Sequence, residues 1–313
     1  MLIVSAPLTA FAVLLLGQAL AQRRFIPWET WGSLQLLNYY LFIPVLFFYG
    51  LATADFGDLR VLEQGFTVVA TMLVGTLLLV IWRWRRGVDQ ALTPALLEAT
   101  VRANMPLGFA LAYAFFSSAG IQLMAIAGLF YLPTAVLLGA YVSQASGTPR
   151  IGRWPRLGFV VGSVRLLARH PIFIGALAGV LINVLGERLN LALVRTGLTF
   201  GLAAIPLGIL AAGAAMNTKT LAQVMGTQPR EILGVVVLKL VALPIVAGGL
   251  AWALGLHGVT AQTVVVLAAL PCVAPRFSLG ASLGTAPPIL NAAATATTLL
   301  WVVTLPFALW ILT

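Results

Sequence analysis

The sequence predicts an all-α polytopic membrane protein. Its ten transmembrane helices form two inverted five-helix repeats, with helices four and nine crossed and broken by proline. Three observations predict this. Of 313 residues, 61% are apolar and only 8% are charged, with a mean hydropathy of +1.03; a soluble domain carries about 25% charged residues. The apolar residues fall in continuous runs near the ~20 residues that a membrane-spanning helix needs. One long polar stretch divides the runs five and five, and an odd number of spans per half sets the two halves in opposite orientations.

The runs cover residues 2–21, 34–53, 65–82, 94–117 and 121–143, then 170–186, 196–216, 231–254, 261–283 and 288–312. The first has no basic leader and stays apolar to Ala21. That is too long for a signal-peptide core, so it reads as a span. Hydrocarbon excludes unpaired backbone, which makes these runs helices, and the alternating strands of a membrane barrel do not occur in them. Span two, LFIPVLFFYGLA, and span seven, LAAIPLGILAAGA, place Pro44 and Pro206 in register, and Pro7 and Pro171 open spans one and six. Spans four and nine carry proline near their middle, Pro106 in ANMPLG and Pro271 with Pro275 in LPCVAPRF. The organisation expected is a first repeat over 1–143, a cytoplasmic loop over 144–169, and a second repeat over 170–313. Within the loop, RLGFVVGSVRLLAR reads as an amphipathic segment at the inner interface.

The net charge is +10. With the N-terminus outside, twelve Arg and Lys residues fall in inner loops and three (Arg60, Arg188 and Arg195) in outer ones. The positive-inside rule then puts both termini outside and the 144–169 loop in the cytoplasm. The charge therefore belongs to loops, and no nucleic-acid partner is expected. Cys272, the single cysteine, excludes an internal disulfide and a cysteine metal site. His170 and His257 stand at loop edges, no GxxxxGK[ST] loop occurs, and no Asp lies within a span. Neither an enzyme nor a cofactor or metal is expected; the partners are the lipid bilayer and a small organic anion.

The anion follows from the broken spans. Proline removes a backbone hydrogen bond and clashes with the preceding turn, and Asn104 and Gly108 flank Pro106. Breaks at matching places in inverted halves meet near the bilayer middle, where new half-helices begin at about Leu107 and Arg276. Two helix N-termini with free N–H groups and partial positive charge converge there, which makes an anion site. The substrate-binding residues expected are Asn104, Pro106, Gly108, Pro271, Pro275, Arg276, Ser278 and Asn38. Arg276 is either the counter-charge of the anion or an arginine snorkelling to the cytoplasmic side, and Lys239 in span eight poses the same alternative. Asn104 can bind a carboxylate, satisfy the broken backbone, or do both. Asn38, Ser117, Ser278 and Asn291 can equally bond between helices. Glu98 is the acid nearest the break. The glycine pairs Gly175/Gly179, Gly197/Gly201 and Gly280/Gly284 suit close helix contacts.

Several of these stretches together resemble the auxin efflux carrier family, the bacterial relatives of the plant PIN-type carriers. They are LNYYLFIPVLFFYGLA, RANMPLGFALAYAFF, HPIFIGALAGVLINVLG, IPLGILAAGAAM, LKLVALPIVAG and LAALPCVAP. The resemblance implies ten spans in two inverted repeats, a scaffold and a mobile transport part, and substrate held where spans four and nine break. It also implies elevator-type export of an organic anion such as a dicarboxylate or auxin-like acid, a homodimer, and, from the short central loop, a bacterial inner membrane. The family's Asn and Pro of span four fall on Asn104 and Pro106, and its span-nine prolines on Pro271 and Pro275. Cys272-Val273 stands where a polar pair is common, and Arg276 is not general in the family. Two other readings compete. A sodium-coupled carrier resembling the bile acid:sodium symporters would need a buried acid that this chain lacks, and an anion channel would need a continuous polar pore.

Overall fold

A computed structural model describes residues 2–57, 60–145, 156–186, 191–273 and 288–312. The described residues form helices and no strands, as a chain with this hydropathy must if its backbone is to be satisfied in hydrocarbon. Among the described residues, seven helical stretches are long and apolar enough to cross a membrane. They lie at residues 3–22, 28–52, 61–86, 90–141, 192–214, 229–253 and 288–311. A further pair, Gly162–Ala168 and Pro171–Val184, passes the same test but bends by 73°, and Gly258–Ala269 is a shorter apolar helix. Each run read from the sequence holds helix. The end of the ninth, with Pro275, Arg276, Ser278 and the pair Gly280/Gly284, lies outside the described residues.

Several spans are interrupted, each for an identifiable reason. Span two is α2 (Trp28–Leu37), a π-helical turn over Asn38–Phe42, and α3 (Ile43–Ala52). The Ile43 N–H reaches back five residues to the Asn38 carbonyl. Pro44 follows at once, with no N–H to give and a ring that would strike the carbonyl four residues back, so the widened turn absorbs it. The same device recurs later in the chain. There α11 (Pro229–Val237) runs through a π turn over Leu238–Ala242 into α12 (Leu243–Ala253), with Leu243 N–H bonded to Leu238 O and Pro244 next. Pro206, paired with Pro44 on sequence, instead lies inside the unbroken α9 (Leu191–Ala214).

α4 (Val61–Arg86) ends at Gly87, whose φ of +63° closes the helix. After α5 (Thr93–Val101) comes α6 (Met105–Ala145), 41 residues long and too long for one crossing of ~30 Å. Ser117, at φ +54° and ψ −136°, divides it. Beyond that turn the chain folds back so closely that a Cβ on Gly120 would strike the Ala112 carbonyl. Glycine is required there because the obstacle is backbone and cannot move aside. α7 (Arg156–Ala168) and α8 (Pro171–Val184) form the bent pair. α10 (Thr218–Thr227), α13 (Gly258–Ala269) and α14 (Pro288–Leu312) complete the described chain.

Two sets of helices pack around one continuous apolar core. In the first, α1 (Leu2–Gln22) lies on α9, with Gly17 against the Leu210 backbone and Gly213 against the Leu14 backbone. Correspondingly α3 lies on α8, with Gly175 against Pro44 and Gly179 against Phe48. Small residues let these backbones approach, which replaces the hydrophobic drive missing between helices in lipid. Gly201 likewise meets Leu46, whereas Gly197 faces open space. The second set comprises α4, α5, α6 and α11 to α14.

Candidate functional site

The fourth span breaks as α5 ends at Val101 and Arg102 turns extended, with ψ 140°. Helix resumes at Met105, so Pro106 occupies a first-turn position where an N–H is not needed. The ninth span breaks where α13 ends at Ala269 and Leu270 turns extended, with ψ 143°. The two breaks meet. Asn104 N–H donates to the Pro271 carbonyl at 3.0 Å, joining the interruptions directly. Ala103 N–H donates to Tyr131 Oη at 2.6 Å, and Cys272 N–H donates to Thr297 Oγ1 at 3.2 Å. Irregular backbone at membrane depth persists only where protein buries and satisfies it. Ala103, Asn104, Leu270 and Cys272 are all buried.

Asn104 caps the resumed helix. Its carbonyl accepts from Gly108 N–H at 3.0 Å and its Oδ1 accepts from Leu107 N–H at 3.4 Å. The freed groups it satisfies are thus N–H donors. Its Nδ2 makes no hydrogen bond to a described residue, which leaves two donors at the mouth of a helix N-terminus. Gly108 has a packing role, since a Cβ there would meet Leu270 and Met124. Asn38 is buried on the π turn of span two, and its Nδ2 donates to the Ala204 carbonyl at 3.2 Å. Its Oδ1 is buried without a partner among the described residues. Gly208 touches both Pro106 and the Asn38 amide, so span seven, span two and the fourth-span break converge at one place.

Asn38, Asn104, Pro106 and Pro271 are therefore brought together, while Pro275, Arg276 and Ser278 lie outside the described residues. Lys239 does not snorkel: its side chain is 1% exposed within the π turn of span eight. Arg102 is a candidate site residue that the sequence reading passed over. It stands two positions before Asn104 and pairs with Glu98 at 2.8 Å, the two side chains being 25% and 17% exposed. Its charge acts on Tyr39, Tyr131, His170 and Cys272. The Tyr39 and His170 rings meet edge-on with centroids 5.4 Å apart. A signal was available, because an arginine inside an apolar run marks a functional site by default.

The Asn104 amide, the N–H groups of the helix that resumes after it and the Arg102–Glu98 pair two residues earlier lie at one break, an arrangement suited to an anion. Residues 159–309 match the model of the membrane transport protein family, which is the auxin efflux carrier family. No curated protein matches the chain.

Proposed function

We propose that this chain, which belongs to the auxin efflux carrier family of membrane transporters, is a secondary exporter of a small organic anion held at the crossing of spans four and nine. The observation that carries the reading is the Asn104 N–H···O=C Pro271 bond. It joins two interrupted spans at Asn104, whose Nδ2 bonds no described residue, with Arg102 two positions before it in the chain. A carboxylate placed there meets aligned N–H groups and a cation, the combination that desolvated anions require. On sequence, Arg276, which follows Pro275, is the second cation read for the same ligand.

The ten-span inverted repeat is part of the proposal. The packing of α1 on α9 and of α8 on α3 supports it, because exchanging spans one with six and two with seven turns one contact into the other. Movement is of the elevator type: α4 to α6 and α11 to α14 carry the crossing past α1 to α3, α8 and α9. Pro106 against Gly208 marks where the two sets slide. The carrier is a homodimer in a bacterial inner membrane, with both termini outside and α7 at the inner interface.

Counterflow in proteoliposomes tests the function. Liposomes preloaded with a panel of mono- and dicarboxylates should accumulate the matching labelled acid, without sodium. Arg102→Gln should abolish accumulation at equal protein density. Sodium-dependent uptake, or single-channel currents in a planar bilayer, would replace this reading with one of its competitors.

A further inference from the structure

Lys239 presents a separate problem. Its side chain is 1% exposed, and no described residue gives its ammonium a hydrogen bond or ion pair. A buried charge without a partner is strongly disfavoured, so it must either lose its proton or acquire an anion. Lys239 lines a cavity of about 20 Å³ between α4, the π turn of span eight and α13, room for about one water-sized guest. Besides Lys239, the polar lining is Thr71 and Tyr131; the remaining lining residues are apolar and none is a carboxylate. The Thr71 hydroxyl already donates to the Thr67 carbonyl at 2.7 Å. Tyr131 Oη accepts from Ala103 N–H and so keeps its own hydrogen to donate. Lysine and tyrosine thus stand in the lining of a largely apolar pocket in which no described residue is negative.

We infer that Lys239 holds a monovalent anion of halide size in this cavity, behind the crossing and apart from the transported acid. Two sources share that chemistry, a free halide and the carboxylate end of a substrate. The single-guest volume favours the free ion, since a carboxylate there would have to bring its carbon chain with it. Tyr131 links the two places. The same phenol fixes Ala103, one residue before Asn104, so a resident anion beside it steadies the broken span.

The test uses the purified full-length protein in detergent. Thermal unfolding is followed in isosmotic sodium chloride, bromide and gluconate, and the ³⁵Cl NMR line width is measured with and without protein. Chloride and bromide should raise the midpoint above that in gluconate, by roughly 5 °C at a hundredfold excess over Kd. The protein should broaden the ³⁵Cl line, bromide should narrow it again, and Lys239→Met should abolish both effects. Equal midpoints in the three salts with an unbroadened line overturn the inference on the wild type alone, even where the variant does not fold. A halide effect that survives in a folded Lys239→Met protein overturns it too. Displacement of chloride by a transported acid assigns the cavity to the substrate and removes the free halide. Organic-acid binding measured in gluconate stands or falls separately.

Discussion

Replacing Asn104 separates its two jobs, capping a helix and presenting donors to a ligand. The cap bond from Leu107 N–H is long at 3.4 Å, so its loss in Asn104→Ala belongs at the low end of cap effects, about 0.5 kcal/mol. The ligand loses more. Its carboxylate is left desolvated beside an apolar methyl, at a cost of about 1–3 kcal/mol, which weakens affinity by roughly 5- to 150-fold. Asn104→Asp distinguishes the roles further. Aspartate caps as well as asparagine and its charge suits a helix N-terminus, so stability should hold or rise. Yet its charge repels an incoming anion, so binding should vanish. Calorimetric titration of both variants in nanodiscs, with their melting midpoints, reads the two effects independently. Wild-type affinity in Asn104→Ala, or measurable anion binding in Asn104→Asp, would refute the argument and reduce Asn104 to a plug for the break.

The Arg102–Glu98 pair holds part of the guanidinium, so Glu98→Gln should tighten anion binding several-fold while Arg102→Gln weakens it by tenfold or more; radioligand binding by scintillation proximity compares them. Asn38 Oδ1 is buried without a donor, and acids bearing a hydroxyl or N–H should therefore bind more tightly than unsubstituted acids of equal length, a difference that Asn38→Leu should erase. Gly213→Leu places a side chain against the Leu14 backbone, where no rotamer relieves it. The cost is about 3 kcal/mol or more, and monodisperse protein should disappear from size-exclusion profiles. Reporters active only outside the cytoplasm should be active when fused to either terminus and inactive when inserted at residue 150; the reverse pattern would invert the topology.

The positions of the spans were legible because lipid imposes a single requirement, a continuous apolar run with its backbone satisfied internally. The fourth-span break was legible for a related reason. Pro106 could not continue a helix from Asn104, and a polar side chain next to it had to answer for the freed groups. What those groups would bond to was not legible. Asn104 meets Pro271, and Cys272 meets Thr297, partners set by tertiary packing and invisible to a local pattern. The match of Pro44 with Pro206 does not extend to the local helix geometry. Pro44 and Pro244 both follow such a turn, whereas Pro206 does not.

The two basic residues Arg102 and Lys239 show where composition stops being informative. Counting arginines by loop sorts out topology because loop charges share one environment, and for that purpose Arg102, within a span, was simply left aside. Inside a span each charge has its own environment, and only its neighbours distinguish the cases. Arg102 remains partly exposed and shares its charge with Glu98, so it can exchange that partner for a ligand. Lys239 is sealed in the opposite condition, fully buried with no described partner. One arginine poised to trade partners at the crossing and one lysine immobilised behind it are chemically different devices, although the sequence presents each as a single basic residue in an apolar run. For that reason the consequences should differ in kind: removing Arg102 abolishes anion transport, whereas removing Lys239 changes the stability of the bundle that carries the anion.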